Sequence, residues 1–140
     1  MKKSLLIVDD SEADRYIAER FAGKTQKFDH IFTSYGVLTW LRDIGKWGEI
    51  VSHFLKPGGT FFIVEFHPFG SIFDDESDEI KIRYPYFSDG KPLSFNDEWS
   101  YADDSKLKNT KSFEWTHNLD DIIGSIIKAG LSITEFKEYD

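Results

Sequence analysis

The feature of this chain that most constrains its fold is a helix-to-strand unit between residues 47 and 66. Five apolar side chains recur at the spacing of one helix face: Trp47, Ile50, Val51, Phe54 and Leu55. The KPGG segment at 56–59 is predicted to end this helix, because proline cannot continue it and glycine permits a reversal. Residues 60–66 are nearly all apolar, which predicts a central strand buried on both faces, as in a parallel sheet.

The same alternation of strand and helix is present at the amino end. The apolar residues 4–8 (SLLIV) predict a first strand, and residues 28–36 predict a second strand that leads into a loop. Between these strands, Ser11 with Asp14 is typical of a helix start and Gly23 of a helix end.

The carboxyl-terminal third continues the pattern. Residues 113–116 predict a short strand, Asn118 is predicted to cap a helix and Gly130 to end it, and residues 131–139 predict a final, half-exposed strand. The stripe of this last helix consists of Leu119, Ile122, Ile123, Ile126 and Ile127. We therefore predict a single α/β domain over residues 1–140, with a mostly parallel sheet of about four strands in the order 1-2-3-4 and flanking helices, in a flavodoxin-like or Rossmann-like arrangement.

Residues 67–111 interrupt this alternation. The segment is rich in aromatic and acidic residues, which predicts an ordered insertion rather than a disordered linker. A turn at residues 88–90 lies between two strand-like runs, residues 81–84 and 92–95, and predicts an aromatic-rich hairpin. Its aromatic side chains suit either a small satellite core or a lid over a substrate.

Composition narrows the classes of partner. The formal charge of −8 is unlike that of a general nucleic-acid or anionic-membrane binder, which needs an excess of Lys and Arg. The absence of cysteine excludes disulfides, thiolate catalysis and cysteine-ligated zinc. The first apolar run is stopped by Asp9 and Asp10 and is far shorter than the about 20 residues of a membrane span. We expect a soluble, cytoplasmic protein without nucleic-acid or membrane partners.

Three segments together carry a resemblance to a known family. Residues 28–41 (FDHIFTSYGVLTWL), the LKPGG segment at 55–59 and the EFHPF segment at 65–69 resemble the carboxyl-terminal half of class I S-adenosylmethionine (SAM)-dependent methyltransferases, and the resemblance covers about residues 26–139. It implies that the loop after the second strand borders the cofactor, through Ser34, Tyr35, Gly36 and Trp40. It also implies that Glu65 and His67, at the end of the next strand, face the substrate.

The front of the chain departs from that family. Its first strand runs into Asp9-Asp10-Ser11-Glu12, where the family has a glycine-rich loop that lets the backbone approach the cofactor, and two further strands are missing. Residues 5–15 instead resemble the first strand and helix of response-regulator receiver domains. That resemblance implies a magnesium site at Asp9 and Asp10, yet the second strand ends in Thr33-Ser34 where a receiver has an aspartate. Two such switches predict a chimera, either engineered or produced by gene decay, with a receiver-like part at residues 1–25.

The candidate site residues also have structural interpretations. Asp9 and Asp10 suit a divalent cation, but acids are also stabilised at a helix start, and the missing partner aspartate favours that second interpretation. Glu65 and His67 stand two residues apart on one face of a strand and suit an acid–base pair, while His67 also suits a plain surface position.

Three hypotheses for function follow. The first is a folded, methyltransferase-derived domain without catalytic activity, for which no cofactor is expected. The second is a SAM-dependent methyltransferase that acts on a small molecule, with SAM as cofactor, and the third is a receiver-type signalling module. The missing strands also predict that residues 4–8 lie at an exposed sheet edge, through which the chain would form a homodimer.

Overall fold

A computed structural model of the protein describes residues 3–8, 25–96 and 110–139. The main elements are β1 (Leu5–Val8), β2 (Phe28–Thr33), α1 (Ile44–Phe54), β3 (Leu55–Ile63), β4 (Leu93–Asn96), β5 (Lys111–Glu114) and α2 (Leu119–Lys128). Short 3-10 helices span Leu38–Trp40 and Gly70–Ile72. The predicted helix at residues 11–23 and the predicted metal ligands Asp9 and Asp10 lie outside the described residues.

The first three strands form one parallel sheet in the order β1-β2-β3. The register sets Leu6 beside Ile31 and Ile31 beside Phe61, which places these three side chains in one row across the sheet. The α/β class and the parallel sheet are therefore confirmed, and the arrangement is compatible with a Rossmann-like fold. β1 lies at an edge of this sheet, as the sequence predicts.

The prediction of a fourth strand at residues 131–139 is wrong. Residues 131–139 have no strand pairing, and beyond Leu131 every side chain from 132 to 139 is exposed. Leu131 still packs against the core, and at the far end Glu138 contacts His67. Polar–apolar alternation in the sequence can favour an extended backbone, but a strand also needs a neighbouring strand to accept its hydrogen bonds.

The predicted hairpin in the insertion has the wrong partner. β4 pairs antiparallel with β5, so that Leu93 lies opposite Glu114, and not with residues 81–84. The latter segment is held elsewhere, because the N–H groups of Arg83 and Tyr84 both donate to the carbonyl of Ile72. The predicted turn at residues 88–90 is present, with Gly90 at a φ of 81°.

The first helix-to-strand unit is confirmed, with one change at its end. Asp43 caps α1 by accepting the N–H of Lys46 at 2.9 Å, and the helix buries Trp47, Val51 and Phe54. The helix ends at Phe54, and Leu55 already pairs with Phe28 of β2. Residues 56–59 then bulge out of the sheet before pairing resumes at Thr60.

Glycine is required at two close approaches. A Cβ on Gly59 would stand 2.8 Å from the carbonyl oxygen of Asp29, which fixes the bulge against β2. A Cβ on Gly48 would stand 2.7 Å from the carbonyl oxygen of Ser125, at the crossing of α1 and α2. These glycines let the backbones of neighbouring elements touch.

The last helix begins where the sequence predicts. The side chain of Asn118 accepts the N–H of Asp121 at 3.0 Å, and the Asp121 carboxylate accepts the N–H of Asn118 at 3.2 Å. This reciprocal pair is a capping box, which satisfies two backbone donors at the helix start. The helix ends at Lys128, and the predicted Gly130 follows two residues later with a φ of 81°.

The two faces of the parallel sheet differ. Leu6, Val8, Ile31, Thr33, Phe61 and Ile63 point to the face that α1 and α2 cover. Leu5, Ile7, His30, Phe32, Thr60 and Phe62 point to the opposite face, which we call the open face. There Leu5, Ile7 and Phe62 are 55%, 57% and 58% exposed. The prediction that the strands are buried on both faces is therefore wrong, since both described helices lie on one side.

The amino ends of the strands are tied together by one carboxylate. Asp29 at the start of β2 accepts the backbone N–H of Ser4 at 2.8 Å, its hydroxyl at 2.9 Å and the ammonium of Lys56 at 2.9 Å. The hydrogen bond from the Ser4 N–H, followed by those from Lys56 and the Ser4 hydroxyl, holds the pKa of Asp29 well below its usual range. β1, β2 and the bulge of β3 therefore meet at this side chain.

Candidate functional site at the carboxyl ends of the strands

Several of the sequence-predicted site residues follow β2 and β3 at one edge of the sheet. Parallel strands bring their carboxyl ends to the same edge, which is where open α/β sheets bind ligands. Here the loop at residues 34–37 leaves β2, and residues 64–67 leave β3 beside it. Pairing continues slightly beyond the strands, since Ser34 donates its N–H to the carbonyl of Val8 at 3.1 Å and Val64 donates to that of Thr33 at 3.2 Å.

Glu65 is the centre of the hydrogen bonds at this edge. Its Oε1 accepts the N–H of Gly36 at 2.6 Å and that of Phe66 at 2.8 Å, and its Oε2 accepts the N–H of Leu38 at 3.1 Å. Gly36 has a φ of 71°, a conformation that side-chain-bearing residues rarely adopt. The left-handed turn directs the Gly36 N–H towards β3, and the carboxylate closes the loop against that strand.

His67 belongs to a separate set of contacts. Its Nδ1 accepts the N–H of Phe69 at 3.1 Å, so the ring proton of the neutral form resides on Nε2. Nε2 lies 2.7 Å from Oε1 of Glu138, and both side chains are exposed, at 42% and 59%. The imidazole thus anchors the tail at residues 131–139 to the end of β3.

The structure separates the two residues that the sequence proposes as an acid–base pair. No hydrogen bond joins Glu65 to His67 among the described residues, because Glu65 points to the β2 loop and His67 points to the tail. It brings Glu65 and Gly36 together instead. Spacing along a strand indicates a shared face, but it does not reveal which backbone donors that face meets.

The other predicted cofactor contacts divide between surface and core. Tyr35 is 58% exposed, and its ring lies 5.3 Å from that of Phe66, which is 64% exposed. Trp40 is half-buried and packs against the core, in the 3-10 helix that follows the loop. Tyr35 and Phe66 therefore form an exposed aromatic pair at the edge where the resemblance implies an adenine site.

A second concave surface lies away from this edge, where the first turns of α1 and α2 meet the turn at residues 88–90. It encloses about 310 Å³ and is lined in part by Arg42, Asp43, Trp115, His117 and Asp121. Asp43 and Asp121 each already serve as helix caps. His117 Nε2 lies 2.6 Å from the carbonyl oxygen of Leu41, which fixes the imidazole as a donor there. The polar groups of this cleft thus act mainly in capping and anchoring.

Among the described residues no cluster of three or more His, Asp or Glu side chains is placed to hold a metal ion. The predicted ligands Asp9 and Asp10 lie outside those residues. No helix in the described parts of the chain has the length and apolar character that crossing a membrane requires.

No protein family, curated protein or solved structure matches this chain. The geometry of the site therefore stands as the basis for functional inference.

Proposed function

We propose that this chain is a folded, methyltransferase-derived α/β domain that has no catalytic activity. The observation that carries the proposal is the set of hydrogen bonds that the Glu65 carboxylate accepts. Both oxygens of this carboxylate already accept backbone N–H groups, three in all, so they are poorly placed to contact a substrate. Its hydrogen bonds hold the β2 loop, so the residue best placed for acid–base chemistry serves the fold.

The front of the chain supports the same proposal. Cofactor binding, as the resemblance implies, needs a glycine turn after the first strand, an acid on the ribose and a wall beside the adenine. After its first strand the sequence has Asp9-Asp10-Ser11-Glu12 in place of those glycines, and residues with side chains would hinder the close approach of a ligand that glycine permits. Each hydrogen bond to a charged group is worth roughly 1.5–3 kcal/mol, and the loss of two weakens affinity by roughly a hundredfold or more.

One observation favours the second candidate, a SAM-dependent methyltransferase. The exposed pair of Tyr35 and Phe66 stands at the ligand-binding edge of the sheet and offers the type of aromatic surface on which an adenine stacks. In this case the turn after β1 must be rebuilt around the cofactor or supplied by another chain. No described observation favours the third hypothesis, a receiver module, since β2 ends at Thr33 and is followed by Ser34, and neither residue carries a carboxylate.

Amide chemical shifts of the isotopically labelled protein separate the first two candidates. SAM, its demethylated product and ATP are each added to about 1 mM, with ATP as a control for adenine stacking alone. The proposal predicts no shift at Tyr35, Gly36 or Phe66 that is specific to SAM or its product. Saturable shifts at these amides with a micromolar Kd, absent with ATP and lost in Tyr35→Ala, would favour the methyltransferase and contradict the proposal.

A further inference from the structure

The open face of the parallel sheet carries a continuous apolar row. The register places Ile7 beside Phe32 and Phe32 beside Phe62, one from each strand. The rings of Phe32 and Phe62 stack at 5.5 Å with an angle of 19° between their planes. Leu5 lies on the same face next to this row and is also more than half exposed.

Such a surface is unusual for this type of sheet. Parallel sheets occur almost only where both faces are covered, because their crossover connections and partners pack on each side. The three exposed side chains with the half-buried Phe32 ring form a patch of roughly 400 Å², the size of the largest apolar patch on a typical soluble monomer, which is often functional. The described elements of this chain leave that patch in contact with solvent.

We propose that the open face is the interface of a symmetric homodimer, in which two sheets stack face to face. A two-fold axis brings the same patch of both copies together, so an apolar row is complementary to itself. Charge favours this surface over others, because each copy carries a net charge of −8 while the six described strand residues that define the open face include no Asp, Glu, Lys or Arg. Two acidic copies therefore meet here without opposing like charges.

The surface area that the dimer would bury is small. Two patches bury roughly 800 Å² in total, below the about 1,200–2,000 Å² of stable complexes. The association is therefore weak and depends on protein concentration. It uses the face of the sheet, whereas pairing along β1 would use its edge, and the two modes respond differently to a charge placed on the face.

The chain offers a matched pair of variants. Ile7→Lys places a charge on the open face, and Ile127→Lys places the same charge on α2; the two isoleucines are 57% and 58% exposed. Phe62→Lys is a second probe of the open face on another strand. Because all three positions are exposed, circular dichroism should show that each variant keeps the fold.

Sedimentation velocity over a hundredfold range of concentration, reaching about 1 mM, tests the proposal. The wild type and Ile127→Lys should rise from the monomer mass of 16.3 kDa towards twice that value. Ile7→Lys and Phe62→Lys should stay monomeric, or dimerise at least tenfold more weakly. A wild type that stays monomeric throughout would overturn the proposal, and so would a dimer that survives both open-face substitutions, which would indicate pairing along the sheet edge.

Discussion

The crossing of α1 and α2 makes a sharp test of the fold, because one glycine there has no room for a side chain. A Cβ on Gly48 would stand 2.7 Å from the Ser125 carbonyl oxygen, roughly 0.7 Å closer than the 3.4 Å at which ordinary contact begins. Gly48→Ala must therefore push the two helices apart. Gly124, in the middle of α2, has no atom within 4 Å of the position that its Cβ would take, so Gly124→Ala is the matched control.

The two substitutions have the same effect on helix propensity but differ in their effect on packing. Alanine in place of glycine inside a helix gains about 1 kcal/mol of helix propensity in both variants. Overpacking at a tight contact costs about 1–3 kcal/mol, and only Gly48→Ala incurs it. Gly124→Ala should therefore raise the free energy of unfolding by about 0.5–1 kcal/mol, and Gly48→Ala should fall below Gly124→Ala by about 1–3 kcal/mol.

Urea unfolding followed by circular dichroism measures both free energies, provided that the slope m is unchanged. A Gly48→Ala variant as stable as Gly124→Ala would refute the helix crossing described here. Unequal m values would point instead to a change in the denatured state.

Three further predictions concern contacts at the two ends of the sheet. Gly59→Ala should destabilise the fold by about 1–3 kcal/mol in the same urea assay, because the added Cβ would stand 2.8 Å from the carbonyl oxygen of Asp29. The control Gly58→Ala should lower the free energy of unfolding by less, since no atom lies within 4 Å of its Cβ, although Gly58 has a φ of 75°. The pKa of Asp29 is lower in the folded than in the unfolded state. The contribution of this carboxylate to the free energy of unfolding is therefore complete above the unfolded pKa of about 4 and is lost progressively as the pH falls below that pKa. The stability difference between wild type and Asp29→Asn should therefore shrink from pH 6 to pH 3, and a constant difference would contradict this role. His67→Ala should speed proteolysis of residues 131–139 and change the free energy of unfolding by less than about 1 kcal/mol, since its contact with Glu138 is exposed.

Local patterns in the sequence predict the elements that bury a stripe of their own. The stripe of α1 and the cap at Asn118 are both present, because helix starts and apolar periodicity depend on residues within a few positions of each other. The parallel order of the first three strands also agrees with the general tendency of consecutive strands in an α/β domain to lie side by side.

Pairing partners were predicted poorly, because they depend on distant residues. The alternation in residues 131–139 cannot show that a neighbouring strand is lacking, and the turn at residues 88–90 cannot show that β4 pairs with residues 111–114 across a longer loop. The same limit applies at the site. The position of Glu65 was predicted from the strand end, but its partners Gly36 and Leu38 lie 29 and 27 residues earlier in the chain.

The central claim is that the Glu65 carboxylate holds the β2 loop and is therefore not free for catalysis. Native-state amide hydrogen exchange in the wild type and in Glu65→Gln tests it most directly. Glutamine keeps the length of the side chain but offers one oxygen where two accept, so one of the N–H groups of Gly36 and Leu38 must face an NH₂ group. The claim predicts slow exchange of the Gly36 and Leu38 amides in the wild type. In Glu65→Gln one or both amides should exchange roughly tenfold faster or more, because a hydrogen bond to a charged group is worth about 1.5–3 kcal/mol. Exchange that is rapid in the wild type, or equal in the two proteins, would contradict it.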